Sequence, residues 1–122
     1  MGKIGGFLEF QRQEPGYRPR EERIRDYRAV ERRLAEQDLR NQAARCMGCG
    51  IPFCHGAGCP LGNVIPEFND MVYRGKWREA LDILLATNPF PEFTARICPA
   101  PCEAACVLEL SEGQPVTIRE IE

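Results

Sequence analysis

The chain has 122 residues, a formal net charge of −2 and 43% hydrophobic residues, which is typical of one domain with a modest core. The small net charge gives no reason to expect nucleic acid as a partner, and no apolar run approaches the roughly 20 residues that span a bilayer. The N-terminus also lacks the apolar run of a signal peptide. We therefore expect a cytoplasmic protein, in which closely spaced cysteines indicate metal ligands more often than disulfides.

The first part of the chain predicts an arm followed by a helix. Residues 1–20 are rich in glycine and proline and predict an extended N-terminal arm, while residues 21–122 are expected to form a helical domain. A helix is predicted from about Glu21 to Arg45, because apolar side chains recur there at steps of three and four residues. These side chains are Ile24, Tyr27, Val30 and Leu34. Asp38 is a candidate cap of a second helical piece, which carries Leu39 and Ala43 toward Cys46.

The middle of the chain predicts a helical hairpin. Its first helix begins at Ile65-Pro66 and ends at Gly75, since proline is favoured in a first turn and glycine just after a last one. The second helix carries an apolar stripe that is expected to face the core, and it ends before Pro89. The stripe consists of Trp77, Ala80, Leu81, Leu84 and Leu85. With a further short helix expected from Cys98 to about Leu108, the predicted fold class is mainly α with long cysteine-rich loops.

Seven cysteines form two tight groups in the sequence. The N-terminal cysteine group is Cys46, Cys49, Cys54 and Cys59, and the C-terminal cysteine group is Cys98, Cys102 and Cys106. Iron–sulfur clusters need soft thiolate ligands that converge on a compact inorganic core, and the loops between these cysteines contain the glycines that let a backbone fold closely around one. Seven cysteines are one fewer than the eight thiolates that two four-iron clusters would take.

A proline rule divides the ligands between two clusters. In bacterial ferredoxins the cysteine that precedes proline often binds the other cluster, and here Cys59 and Cys98 both precede proline. We therefore expect Cys59 to join the C-terminal cysteine group in a complete site. The site of Cys46, Cys49 and Cys54 then lacks a fourth ligand. His55 is a candidate, although a residue next to a ligating cysteine usually points away from the same metal.

Two other roles for the cysteines remain open at this point. Structural zinc would use four cysteine or histidine ligands per site, and Cys46 with Cys49 has the spacing of half such a site. The spacing of the C-terminal cysteine group does not fit the second half of a zinc site. A secreted disulfide scaffold would favour an even cysteine count and a signal peptide, neither of which is found.

Long phrases of the sequence resemble a known family. They are QAARCMGCGIPFCHGAGCPLGNVIPEFND (42–70), NPFPEFTARICPAPCEAACVL (88–108) and PVTIREIE (115–122). These phrases are similar to the N-terminal iron–sulfur domains of glutamate synthase small (β) subunits, and the resemblance covers essentially the whole chain. The related dihydropyrimidine dehydrogenase carries a similar domain. The resemblance implies a small helical, alpha-helical ferredoxin-like iron–sulfur domain that binds two [4Fe-4S] clusters.

The resemblance also implies an eighth ligand. In the dihydropyrimidine dehydrogenase relative, a glutamine shortly after the last cysteine completes the cluster that has three cysteines. The Pro-Val-Thr-Ile phrase places Glu122 at that position, with Glu120 as the fallback. The expected ligands of the first cluster are therefore Cys46, Cys49, Cys54 and Glu122, and those of the second are Cys59, Cys98, Cys102 and Cys106.

The resemblance implies a place in a larger oxidoreductase. Domains that bind FAD and NADPH would follow this one, and the clusters would relay electrons from them toward the large (α) subunit of glutamate synthase. By itself the chain is not expected to be catalytic, since none of its residues is expected to act as a general acid, general base or nucleophile. The alternative is a structural domain whose fold is held together by the clusters, or less readily by zinc. Its N-terminal arm and the basic helix that follows would dock the large subunit.

Overall fold

The computed structural model describes residues 2–122, apart from the side chain of Glu112. In this part of the chain the regular structure is helical, and an isolated antiparallel bridge between Tyr17 and Glu31 is the only β pairing. The helices are α1 (Gly6–Glu9), α2 (Arg20–Arg23), α3 (Glu36–Ala44), α4 (Ile65–Tyr73), α5 (Trp77–Leu85), α6 (Pro91–Ile97), α7 (Pro101–Ala104), α8 (Val107–Glu112) and α9 (Ile118–Ile121), with one π-helical turn at Cys54–Gly58. This confirms the predicted mainly α fold. No helix among the described residues is long and apolar enough to cross a membrane.

Helices α4 and α5 form the predicted hairpin. Pro66 lies in the first turn of α4, where its missing N–H costs no hydrogen bond. After α4 the chain turns at Gly75, which adopts the left-handed conformation with φ 71° and donates its N–H to Val72 O at 2.9 Å. Glycine adopts this conformation without the steric penalty that a side chain would add, so the hairpin turn is a property of the local sequence.

The apolar stripe of α5 is only partly buried. Ala80 and Leu84 belong to the core, as predicted, with 6% and 4% of their surface exposed. The prediction is wrong for Trp77, Leu81 and Leu85, which are exposed. Trp77 and Leu81 line an open groove. The reason is that α5 packs mainly on α4, so only the narrow side of the stripe that faces α4 is covered.

The core lies where α3, α4 and α9 meet. Phe68 of α4 and Ile118 of α9 are fully buried, and α9 contacts α3, α4, α6 and α7. The tail at residues 115–117 leads directly into α9. It is held to the end of α3 by Arg45, whose guanidinium donates to Pro115 O at 2.9 Å and to Gln114 O at 2.6 Å. This packing places the last described residues in the centre of the domain.

The helical structure expected from about Glu21 to Arg45 is confirmed only in part: the second piece, with Leu39 and Ala43, is α3, although it begins at Glu36, before Asp38. The chain is helical only in α2 and α3, and Ile24 and Tyr27 of the intervening segment are highly exposed. The backbone there pairs across a loop: Arg18 N–H donates to Val30 O. In the same loop Asp26 accepts hydrogen bonds from the Arg18 guanidinium and from the N–H of Arg28. A local carboxylate that binds nearby N–H groups competes with helix formation, which periodicity alone does not reveal.

The predicted helix from Cys98 to Leu108 is also wrong. It is replaced by α7 and α8, with extended backbone at Cys98 and at Cys106. Ala100 stands between Pro99 and Pro101 in the left-handed conformation, with φ 55°. Proline disfavours helical backbone in the residue before it, so these two prolines keep Cys98 and Ala100 out of a helix, and α7 begins only at Pro101.

Residues 2–13 of the predicted arm pack on the helical domain. Lys3 N–H donates to Ala44 O at 3.1 Å, and the buried Gly6 lies directly against the end of α3. Farther along, the N–H of Gln13 donates to the side chain of Gln42, and Arg12 donates to Pro115 O. The arm thus covers the same point at which Arg45 binds the tail.

We expect Gly6→Ala to destabilise the fold, because the new Cβ would stand 2.2 Å from Ala44 O. Overpacking of this kind costs about 1–3 kcal/mol of unfolding free energy. The measurement is an anaerobic urea unfolding curve followed by circular dichroism. Gly50→Ala is the control, since nothing lies within 4 Å of its added Cβ. Equal midpoints for the two variants would contradict the described packing of the arm.

Candidate metal centres

The structure brings the seven cysteines into two groups that do not follow their order in the sequence. In the first group, burial and then the charges of Cys106 and Cys49 raise the pKa of Cys46. Burial and then the charges of Cys46, Cys106 and Cys49 likewise raise the pKa of Cys54. All four line one cavity, which we call site A. The rest of its wall is largely apolar and includes Met47, Phe53, Ile65, Val107, Leu108, Val116 and Ile118.

Burial dominates the electrostatics of site A. It raises the pKa of Cys54 to about 12, with smaller contributions from the charges of Cys46 and Cys106, and it also raises the pKa of Cys46. Backbone N–H groups act in the opposite direction: that of Gly48 donates to the sulfur of Cys46, and that of His55 donates to the sulfur of Cys54. The site therefore buries Cys46, partly buries Cys54, and turns N–H donors toward both sulfurs.

The second group surrounds the buried Cys102. Burial, followed by the charges of Glu103, Cys59, Cys98 and Glu122, raises the pKa of Cys102 to about 12. We call Cys59, Cys98, Cys102 and Glu122 site B. Its sulfurs also receive N–H donors, because Asn63 N lies 3.4 Å from Cys59 Sγ and Ala100 N lies 3.4 Å from Cys98 Sγ.

This placement differs from the grouping expected from the sequence in two residues. Cys106 was expected with Cys59, Cys98 and Cys102, yet it lies with Cys46 and Cys54. Glu122 was expected beside Cys46, yet it is the pKa of Cys102, raised mainly by burial, that its charge also raises. The physical reason is the break between α7 and α8: Cys106 has extended backbone, so it does not share a helix face with Cys102.

Glu122 is held in place by two donors. Its carboxylate accepts a hydrogen bond from Asn88 Nδ2 at 2.7 Å and another from the hydroxyl of Thr94. Burial is the main cause that raises the pKa of Glu122. The fallback residue, Glu120, lies elsewhere: it accepts from the N–H of Leu34, and the charges that act on it are those of Glu31, Arg33 and Arg119.

His55 makes an ordinary hydrogen bond. Its Nδ1 lies 2.9 Å from the carbonyl oxygen of Asn63, a residue whose own N–H faces Cys59. The histidine thus ties the π-helical turn to the loop after Cys59.

Backbone contact between the two cysteine regions is very close at Gly58. A Cβ at this position would stand 2.7 Å from Cys102 Cα and 2.8 Å from Ala105 Cβ. The π-helical turn therefore rests directly on α7, and a glycine is required at the contact. It is this contact that lets Cys59 share a site with Cys102.

The donor sets fit iron–sulfur clusters. Thiolates are the soft ligands that such clusters take, and a cluster spreads its ligands over separate iron atoms. A single zinc ion instead draws four ligands to about 2.0–2.3 Å from one point. Among the described residues, no three His, Cys, Asp or Glu side chains converge closely enough for a single metal ion.

Sequence reasoning missed the asparagines that surround these sites. Asn63, Asn69 and Asn88 are buried, and each lies next to a cysteine or to Glu122. One of them had a visible signal: Asn69 falls on the same side of α4 as Ile65, Phe68 and Val72, where a polar residue is unexpected. Asn63 and Asn88 lie in loops, where asparagine is ordinary and carries no such signal.

A family model matches most of the chain. The model described as dihydropyrimidine dehydrogenase domain II, 4Fe-4S cluster, matches residues 23–122. All seven cysteines and Glu122 fall within the matched range. The model therefore covers both sites and most of the chain.

Individual relatives match over the entire chain. It is 57% identical to the glutamate synthase [NADPH] small chain of Mycobacterium tuberculosis and 49% identical to that of Bacillus subtilis. It is also 49% identical to the glutamate synthase [NADH] of Schizosaccharomyces pombe. The chain covers 25% and 26% of the two bacterial relatives and 6% of the yeast one, so it corresponds to a small part of each.

Substituting Gly58 should disrupt both sites at once. Gly58→Ala places a methyl group against the backbone of Cys102, so we expect about 1–3 kcal/mol of destabilisation and a marked loss of bound iron. Iron per chain after anaerobic purification is the measurement. Gly56→Ala, in the same π-helical turn, is the matched control because nothing lies within 4 Å of its added Cβ. If both variants keep the iron of the parent, the close packing of the turn on α7 is not as described.

Proposed function

The chain belongs to the dihydropyrimidine dehydrogenase domain II, 4Fe-4S cluster family, and on that premise we propose that it is an electron-transfer domain with two [4Fe-4S] clusters. The observation that supports this proposal is that seven cysteines and one carboxylate lie in two groups of four neighbouring side chains. Each group has as many candidate ligands as a [4Fe-4S] cluster takes.

The proposed ligands follow the placement in the fold. Cys46, Cys49, Cys54 and Cys106 of site A would hold one cluster, and Cys59, Cys98, Cys102 and Glu122 of site B would hold the other. These sets keep the eight residues expected from the sequence and exchange Cys106 and Glu122 between the two clusters. The clusters, when bound, supply one-electron redox chemistry, while the chain supplies ligation, exclusion of water and N–H donors that set each potential.

The two sites are joined by short segments, which supports a relay. The chain passes from site A to site B between Cys54 and Cys59, and it returns between Cys102 and Cys106. Four residues of fully extended chain span at most about 14 Å, so the backbones of Cys102 and Cys106 lie within that limit. Two centres this close are placed to exchange electrons with each other.

We propose that the domain serves a glutamate synthase. The relatives of known name are glutamate synthases, and the bacterial ones are small chains that name NADPH. In this proposal FAD in other domains of the parent protein is reduced by NADPH, and the clusters pass single electrons toward a large subunit. The relatives' extra length leaves room for those flavin and nucleotide domains.

A second role, docking of a partner subunit, has its own supporting observation. Large apolar side chains are exposed beside the cysteines: Ile51 and Phe53 precede Cys54, and Leu61 follows Cys59. A partner that covers these side chains would also shield the clusters from water. This role is compatible with electron transfer, but it does not require the clusters to change redox state.

Anaerobic analysis of the native protein tests the proposal. Two clusters correspond to about eight iron atoms and eight acid-labile sulfides per chain. We expect dithionite to bleach the visible absorption and to produce the electron paramagnetic resonance signals of reduced clusters. Zinc without sulfide would overturn the cluster proposal. Clusters that remain oxidised at all potentials that NADPH can reach would leave only the docking role.

The ligand role of Glu122 gives a sharper prediction. Glu122→Ala removes the oxygen ligand from site B, so we expect loss of up to about half of the iron. The electron paramagnetic resonance signal of the cluster in site A should be preserved. Glu122→Cys should retain both clusters, because it supplies a thiolate in place of the carboxylate. Glu120→Gln is the control, since Glu120 binds the N–H of Leu34 instead. Full iron content and an unchanged spectrum in Glu122→Ala would refute this ligand.

A further inference from the structure

Asn69 is a buried amide in the wall of site A. It lies on α4 and has none of its surface exposed. It lines the same cavity as Cys46, Cys49, Cys54 and Cys106, on a wall that is otherwise largely apolar. Its side chain therefore faces the cluster ligands and has no access to water.

The amide of Asn69 lacks an ordinary partner. Among the described residues, neither its Nδ2 nor its Oδ1 has a nitrogen or oxygen partner. Its side chain acts as a hydrogen-bond donor toward the sulfur of Cys46, which opposes the larger effect of burial and lowers the pKa of that thiol. An unsatisfied buried amide costs about 1–3 kcal/mol, so a polar residue at this position calls for a partner.

The other two buried asparagines near the cysteines show the contrast. The Oδ1 of Asn63 accepts a hydrogen bond from the hydroxyl of Thr87 at 2.8 Å. Asn88 donates to Thr94 and to Glu122 and accepts from the N–H of Phe90. Their amides are used within the protein, whereas the amide of Asn69 is aimed into a cavity lined by thiols.

We propose that Asn69 donates a hydrogen bond from Nδ2 to a sulfur of the cluster bound in site A and thereby raises the reduction potential of that cluster. Reduction adds negative charge to the cluster sulfurs, so an N–H donor stabilises the reduced form more than the oxidised form. The burial of the site strengthens this interaction, because no water competes for the sulfur. The inference rests on the proposed function, since it needs a cluster in site A.

Asn69 is thus a positioning and tuning residue, which distinguishes it from a residue that only fills space. A space-filling role predicts that substitution changes stability and iron content together, with no change in the potential of the clusters that remain. A donor role predicts a change in potential even where cluster content is complete. The potential is therefore the decisive measurement.

The experiment compares Asn69→Ala and Asn69→Ser with the parent protein by anaerobic redox titration, monitored by electron paramagnetic resonance. We expect the midpoint potential of site A to become more negative in Asn69→Ala and to change less in Asn69→Ser, whose hydroxyl keeps a donor. The signal of site B, identified by its response to Glu122→Gln, serves as the internal reference and should not move. Asn41→Ala is the matched control, because the Asn41 amide bonds to Gln37 on the exposed side of α3.

A measurement on the parent protein covers the case in which the variants fail to fold. Pulsed electron paramagnetic resonance of the reduced protein, with the asparagine side-chain amides labelled with ¹⁵N, should detect a nitrogen coupled to the cluster of site A. An unlabelled sample and a sample with ¹⁵N in the backbone only separate this nitrogen from the backbone donors of Gly48 and His55. Absence of a side-chain coupling overturns the inference, as does an unchanged site A potential in Asn69→Ala.

The failures of the two proposals are distinguishable. If iron and sulfide analysis of the parent finds no clusters, the proposed function fails. If both clusters are present and reducible but neither the potential nor the nitrogen coupling depends on Asn69, only the present inference fails.

Discussion

The structure depends on one constraint: the thiols that would bind the proposed clusters as anions are buried or partly buried. Burial raises the pKa of Cys54 and of Cys102 to about 12, and the neighbouring charges in each site act in the same direction. Such a site is unfavourable for bare thiolates, so the positive charge of iron and the N–H groups turned toward the sulfurs must offset the cost. Folding of the chain and binding of the clusters are therefore expected to be strongly coupled.

The same constraint explains why short polar side chains and tight backbone contacts surround the cysteines. Gly58 brings the π-helical turn onto α7, which allows Cys59 and Cys102 to share a site. His55 ties that turn to the loop of Asn63, and Asn88 with Thr94 holds Glu122. The hydrophobic core supports this arrangement from α4 and α9, since Ile65 and Ile118 belong both to the core and to the wall of site A.

The sequence predicted the local features well and the long-range ones less well. The hairpin of α4 and α5 depends on Pro66 and Gly75, which act on their own neighbours, and it was predicted correctly. The helix expected from Glu21 failed because the contacts of Asp26 and Val30 across a loop replace helical hydrogen bonds. The chemistry of the sites followed from the cysteine and glycine content. The position of Cys106, in contrast, depends on the interruption of the helix between α7 and α8, which the cysteine spacing does not show. The ligand sets themselves stay a prediction.

The position of Glu122 has a consequence for the order in which the protein is made. With the proposed ligands, site A has all its cysteines once residue 106 has been synthesised, whereas site B waits for a residue that follows sixteen positions later. At a typical translation rate this interval lasts about 1–3 s. During it Cys59, Cys98 and Cys102 lack their last partner, and α9, which carries Ile118 into the core, does not yet exist. Site A would therefore have all its proposed ligands before site B does, but its apolar wall at Val116 and Ile118 would close only when α9 follows.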